Sequence, residues 1–173
     1  MTAIRKLYDG IGKLSEQVSE FSKWLIVAVI LATTYEVVMR YVLNSPTMWV
    51  WATTQMLGAA FIALGLANNH RVGANVRVDI IWLKFPPRAR AVLEVLFTIL
   101  FFFPLFFILT RLFTQDAFFA LSTNQVDNTS AWSPITWPYK MVVAVGIVLL
   151  LLQGIATFLK DVLVLVKGGK QPW

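Results

Sequence analysis

Glu36 is the residue in this chain whose type and place most invite chemistry. It lies within residues 24–39, which are otherwise apolar apart from Thr33, Thr34 and Tyr35. A carboxylate inside a bilayer is costly unless a partner offsets its charge. Arg40 follows four residues later, on the same helical face, with the acid first, which is the favourable order. Two roles fit this pair: it fixes a helix end or docks a partner helix, or it helps to move an ion or substrate. Gln55 and Gln153 are polar groups inside two other apolar runs. Both suit hydrogen bonds across helix contacts in lipid, and Gln55 also suits a substrate contact. Arg77 and Asp79 alternate with Val76, Val78 and Ile80, which predicts a short extended or interfacial segment with one apolar side. Those two charges can pair.

Other chemistry is excluded by what the chain lacks. It has no cysteine, so disulfides, thiolate metal sites and thiol nucleophiles are out. His70 is the single histidine, so a two-histidine haem site is impossible within this chain. No Gly-rich phosphate loop is present, and one deep acid cannot form an aspartyl pair. No enzyme activity, cofactor or metal is expected.

These candidates must be positioned by membrane helices. The chain is 58% hydrophobic and 14% charged, with a mean hydropathy of +0.69. Soluble domains sit at about 45–50% apolar and about 25% charged. The expectation is an all-α integral membrane protein, one four-helix domain over residues 1–173. Spans are predicted at 22–43, 47–67, 89–113 and 137–164, each near the roughly 20 residues that cross a bilayer. Residues 2–21 carry an apolar stripe, Ile4, Leu7, Ile11, Leu14, Val18 and Phe21. That stripe fits either an amphipathic helix lying in the interface or a helical extension of the first span. No cleavable signal peptide is expected, because the first apolar run is long and begins after about twenty polar residues.

Helix contacts and breaks are also legible. Ala59, Ala63 and Ala67 recur beside Gly58 and Gly65 in the second span, and Gly146 and Gly154 punctuate the fourth. Small residues at such spacing let helices approach closely. Pro104 predicts a kink in the third span, and Glu94 lies four residues after Arg90, spaced for a pair. Trp49, Trp51, Trp132 and Trp137 fall where an interfacial aromatic belt belongs. Asn128-Thr129-Ser130 matches a glycosylation sequon, a pattern common by chance.

Basic residues set an orientation. Arg5, Lys6, Lys13 and Lys23 lie before the first span. Arg71, Arg77, Lys84, Arg88 and Arg90 lie in the central loop, and Lys160, Lys167 and Lys170 at the C-terminal end. Only Arg40, Arg111 and Lys140 lie at the opposite helix ends. This bias puts both termini and loop 71–88 in the cytoplasm, and a tiny turn and loop 114–136 outside. Because the basic residues flank apolar runs, no nucleic-acid partner is expected; membrane lipids are.

Arg40-Tyr41-Val42-Leu43-Asn44 before a short turn, a small-residue span with Gly65, then Gly73-Ala74-Asn75-Val76-Arg77-Val78-Asp79-Ile80 and Pro86-Pro87-Arg88 form a recognisable layout. It resembles the small membrane subunit, DctQ type, of tripartite ATP-independent periplasmic (TRAP) transporters. Asn75 stands where that family commonly has His. The resemblance implies a location in the bacterial inner membrane and two partners: a large multi-span transport subunit and a periplasmic substrate-binding protein. It implies an accessory role in ion-gradient-driven uptake of a small organic acid. Two other readings are a self-sufficient homo-oligomeric transporter or channel and a membrane anchor of another complex. Glu36, Arg40, Gln55, Arg77, Asp79 and Gln153 are the candidate structural or interface residues.

Overall fold

The computed structural model describes residues 2–74, 86–128 and 131–166. The Arg77–Asp79 pair and the alternating segment around it lie outside the described residues, as do most of the sequon, the Lys167–Lys170 tail and the Arg90 side chain. The described residues are helical: α1 (Thr2–Tyr41), α2 (Trp49–Val72), α3 (Pro87–Phe97), a π-helical turn (Thr98–Phe102), α4 (Phe103–Thr123) and α5 (Trp137–Val166). Among the described residues four stretches are long and apolar enough to cross a membrane: Lys6–Tyr41, Trp49–Val72, Val92–Thr123 and Trp137–Leu163.

Of the two arrangements open for residues 2–21, the structure has the continuous one. Gly10 and Gly12 do not interrupt α1, which runs 40 residues, about 60 Å at 1.5 Å per residue. Its large apolar residues Leu7, Leu14 and Phe21 stay exposed, while Ser15 and Ser22 are buried. Small side chains bring the α1 backbone against its neighbours, and of the apolar stripe Val18 packs on the core of Ala67, Leu149 and Leu150.

Each helix end follows from local chemistry. Asn44, with φ of 48°, ends the turn after α1, and Ser45 N–H bonds back to Met39 O at 2.9 Å. Gly73 (φ 71°) closes α2 in the left-handed conformation, its N–H meeting Asn69 O and His70 O, the role for which glycine is favoured after a helix. Pro87 opens α3 behind an extended Pro86. Pro104 has no N–H for the helical ladder, and the chain answers with the π-helical turn just before it, in which Phe103 N–H reaches Thr98 O. α4 then runs to Thr123, through residues expected in the outer loop. The remaining connection is pinned by the isolated bridge Val126–Ile135.

α5 is central; it packs on α1, α2, α3 and α4. Buried Ala67 of α2 packs with Leu149 and Leu150 of α5, and Ala63 lies against Gly146. A Cβ on Gly146 would lie 2.5 Å from the carbonyl carbon and oxygen of Ala63. α2 and α5 therefore touch backbone to backbone. A Cβ on Gly154 would lie 2.1 Å from Phe102 Cε1; the π-helical turn delivers that ring onto the glycine. Both glycines expected in α5 as packing points act as such. In α2 the alanines make the contact, whereas Gly58 and Gly65 border open space.

Gly146→Ala therefore destabilises by about 1–3 kcal/mol, the usual range for overpacking. Gly65→Ala is neutral or stabilising by up to about 1 kcal/mol, because alanine is the better helix former. Thermal unfolding of the two variants in detergent checks the opposite signs.

Candidate functional site

The polar groups gather at the two ends of the bundle and at one point between. At the α1–α2 turn, Glu36 Oε1 accepts from Arg40 Nε at 3.0 Å and Nη2 at 2.7 Å. Its Oε2 accepts from Thr47 N–H at 3.1 Å and from the Thr47 hydroxyl. Glu36 is only 14% exposed and Arg40 55%. The acid is thus turned inward against the approach to α2, where N–H groups have no helical acceptor, and the base reaches outward. Tyr35 and Trp49 meet at 5.8 Å beside this cluster. The expected pair exists, but sequence reasoning missed its third member. The four-residue spacing pointed to Arg40; Thr47 carried one signal, its place beside the start of a helix.

At the opposite end, Arg71 of α2 reaches Glu16 of α1 at 3.2 Å and Asn68 Oδ1 at 3.2 Å. Gly12 makes room for it, since a Cβ there would lie 3.0 Å from Arg71 Cδ. Lys160 of α5 lies 5.3 Å from the Tyr8 ring centroid, within reach of a cation–π contact. The contacts of Arg71 with Glu16 and of Lys160 with Tyr8 were not foreseen, because they join residues far apart in sequence.

Gln153 is fully buried, with Ser15 beside it. The Ser15 hydroxyl donates to its Oε1 at 3.4 Å, a long and therefore weak bond. Its Nε2 finds no acceptor among the described residues. Gln55 is exposed. Near the end of α4, Lys140 Nζ meets Asp116 at 2.9 Å and Gln125 Oε1 at 2.9 Å, tying α5 to α4 and to the 124–136 connection. Among the described residues no group of three or more His, Cys, Asp or Glu side chains comes together.

The arrangement clamps helices; α3, the π turn and α4 leave a wide apolar surface besides. Leu96, Phe97, Leu100, Phe101, Leu105 and Phe107 on it are all more than half exposed. None of the most apolar stretch of Val92–Thr123 is buried inside the chain.

A family model described as "Tripartite ATP-independent periplasmic transporters, DctQ component" matches residues 29–164. The chain belongs to the DctQ family. Neither a curated protein nor a solved structure matches it. The chain is thus the small membrane component of a TRAP transporter and not an enzyme. With four apolar helices it is a multi-pass membrane protein. Transporters of this family are tripartite, so a DctQ component works with a second membrane component and a periplasmic binding component. The match takes in the Glu36 cluster, Gln153 and the whole of α2, α3 and α4, whereas Ser15, Glu16 and Tyr8 precede it.

Two outcomes follow for this DctQ component. Glu36→Leu leaves both Arg40 and the Thr47 N–H without their acceptor, whereas Arg40→Leu removes a base that is largely solvated. The first lowers the unfolding midpoint more than the second; equal midpoints would mean that Thr47 gains nothing from Glu36. Gln153→Met alone removes a buried amide with an unmet donor and also strips the buried Ser15 hydroxyl of its acceptor. Ser15→Ala with Gln153→Met replaces both partners, and such double exchanges are neutral or stabilising. A clear drop in midpoint for the double variant would show that Nε2 has a partner.

Proposed function

We propose that this DctQ component is the accessory subunit that braces a large multi-span transport subunit in the bacterial inner membrane. That larger subunit couples uptake of a small organic acid to an ion gradient, and a periplasmic binding protein delivers the acid to the outer face. The observation that carries this reading is the uncovered third membrane stretch within a bundle that is otherwise fastened at both ends. Its own deep acid, Glu36, is spent on Arg40 and Thr47. A helix bearing Phe97, Phe101 and Phe107 outward suits packing against another membrane protein or lipid better than an aqueous path. In a tripartite assembly the large subunit is the natural occupant of that face.

The domain reading is a single four-helix unit. Both termini and loop 71–88 face the cytoplasm, as the twelve basic residues on that side against three on the other support. The connection between α4 and α5 and the α1–α2 turn then face the periplasm, where the binding protein docks. Glu36 and Arg40 hold the periplasmic turn in shape, and Arg77 with Asp79 serves the cytoplasmic loop in the same way. Gln55, exposed on α2, and Gln153, buried in α5, are polar contacts of this assembly, the first toward a partner and the second within the bundle.

Affinity purification of the tagged protein from its native membrane in mild detergent tests this reading. Stoichiometric recovery of a large multi-span protein, with a photo-crosslinker at Leu105 capturing it, is the expected result. Recovery of the chain alone as a defined homo-oligomer would overturn it in favour of a self-sufficient transporter or channel.

A further inference from the structure

α1 and α5 meet at Ser15–Gln153 and at Tyr8–Lys160. Toward the α1–α2 turn a groove of about 780 Å³ separates them, floored by α2. We infer that this groove binds the acyl chains of a membrane phospholipid.

The groove is built for hydrocarbon. Its walls are Phe21 and Leu25 on α1 and Val142 and Val145 on α5, over Leu57 of α2. Of its polar groups, Thr53 and Tyr139 lie toward one end with Trp132, and Gln17 lies nearer the other. That is the end of the bundle where α2 and α5 begin. Aromatic and hydroxyl groups of this kind mark the boundary between hydrocarbon and headgroups. A lipid therefore enters tail first, with its headgroup beside Trp132 and Tyr139.

Dimensions favour acyl chains over a protein helix. From Thr53 to Leu64 the groove follows α2 for about 16 Å, close to one leaflet's half of the roughly 30 Å hydrocarbon core. Its walls also present far less surface than the about 800 Å² that each side of a stable protein interface buries. The partner face proposed for α3 and α4 lies on a different part of the bundle, so this inference stands independently of that reading.

Native mass spectrometry tests it. The full chain, with any subunit that copurifies, is taken from nanodiscs of palmitoyl-oleoyl phosphatidylethanolamine into micelles. One phospholipid per chain is expected to persist at collision energies that strip the rest. Val145 is 53% exposed and lines the groove, so Val145→Trp fills the space without entering the core, and Met141→Trp is a second such variant. Each is expected to lower the lipid-bound peak at least tenfold with the unfolding midpoint little changed. The chain has no cysteine to interfere with labelling, and a photoreactive residue at Val145 of the otherwise unaltered protein is expected to give a phospholipid adduct. That adduct decides the matter if both tryptophan variants unfold. Loss of all lipid on release, an undiminished lipid peak in a folded tryptophan variant, or an adduct at 145 with another protein or a second copy would overturn the proposal.

Discussion

The backbone contact between Gly146 and Ala63 is the constraint on which the bundle depends. In lipid no hydrophobic effect drives helices together; association rests on close packing and on polar contacts. A side chain at position 146 would collide with backbone atoms, which cannot rotate away. With α2 and α5 locked at that point, Ala67 of α2 falls into place against Leu149 and Leu150. Phe102 can then lie on Gly154, stack on His70 at 5.2 Å and meet Phe106 at 4.5 Å. The π-helical turn before Pro104 serves the same packing, because an extra residue in the turn rotates the side chains that follow. A proline that costs the helix a hydrogen bond thus sits beside the ring that joins α4 to the centre.

Polar contacts set what packing alone leaves free, the sliding of one helix along another. Glu36 to Thr47 at one end and Glu16 to Arg71 at the other fix α1 along α2. Lys140 to Asp116 does the same for α4 and α5. These pairs lie toward the two ends of the bundle, where water and headgroups lower the cost of charge. The buried hydrogen bond from Ser15 to Gln153 marks the crossing of α1 and α5. Above it the two helices part and the groove opens. The same crossing that closes the bundle at one end therefore creates the space at the other.

This construction suits a subunit that supports transport done elsewhere. Its ionic groups hold helices together, and its third membrane stretch keeps its most apolar residues outward. Surface of that kind is covered in a membrane either by lipid or by another protein, and a member of a tripartite transporter family has such a protein at hand.

Composition and the spacing of apolar runs were enough to determine four membrane helices, because a bilayer accepts only long, continuous apolar segments as helices. The Glu36–Arg40 pair was legible for a similar reason: four residues on a helix are neighbours whatever the rest of the fold does. Gly146 and Gly154 were legible as packing points, and Gly73 to Arg88 with the preceding span pointed to the family. Tertiary structure alone decided which small residues touch what. Gly58 and Gly65 read like contact residues and border open space, since periodicity gives a face but not its neighbour. It also decided that residues 2–21 continue α1, that α4 runs to Thr123, and that Thr47, Glu16 and Ser15 find partners. Those partners lie 11, 55 and 138 residues away in the chain, and no local pattern encodes a contact made by two helices meeting in space.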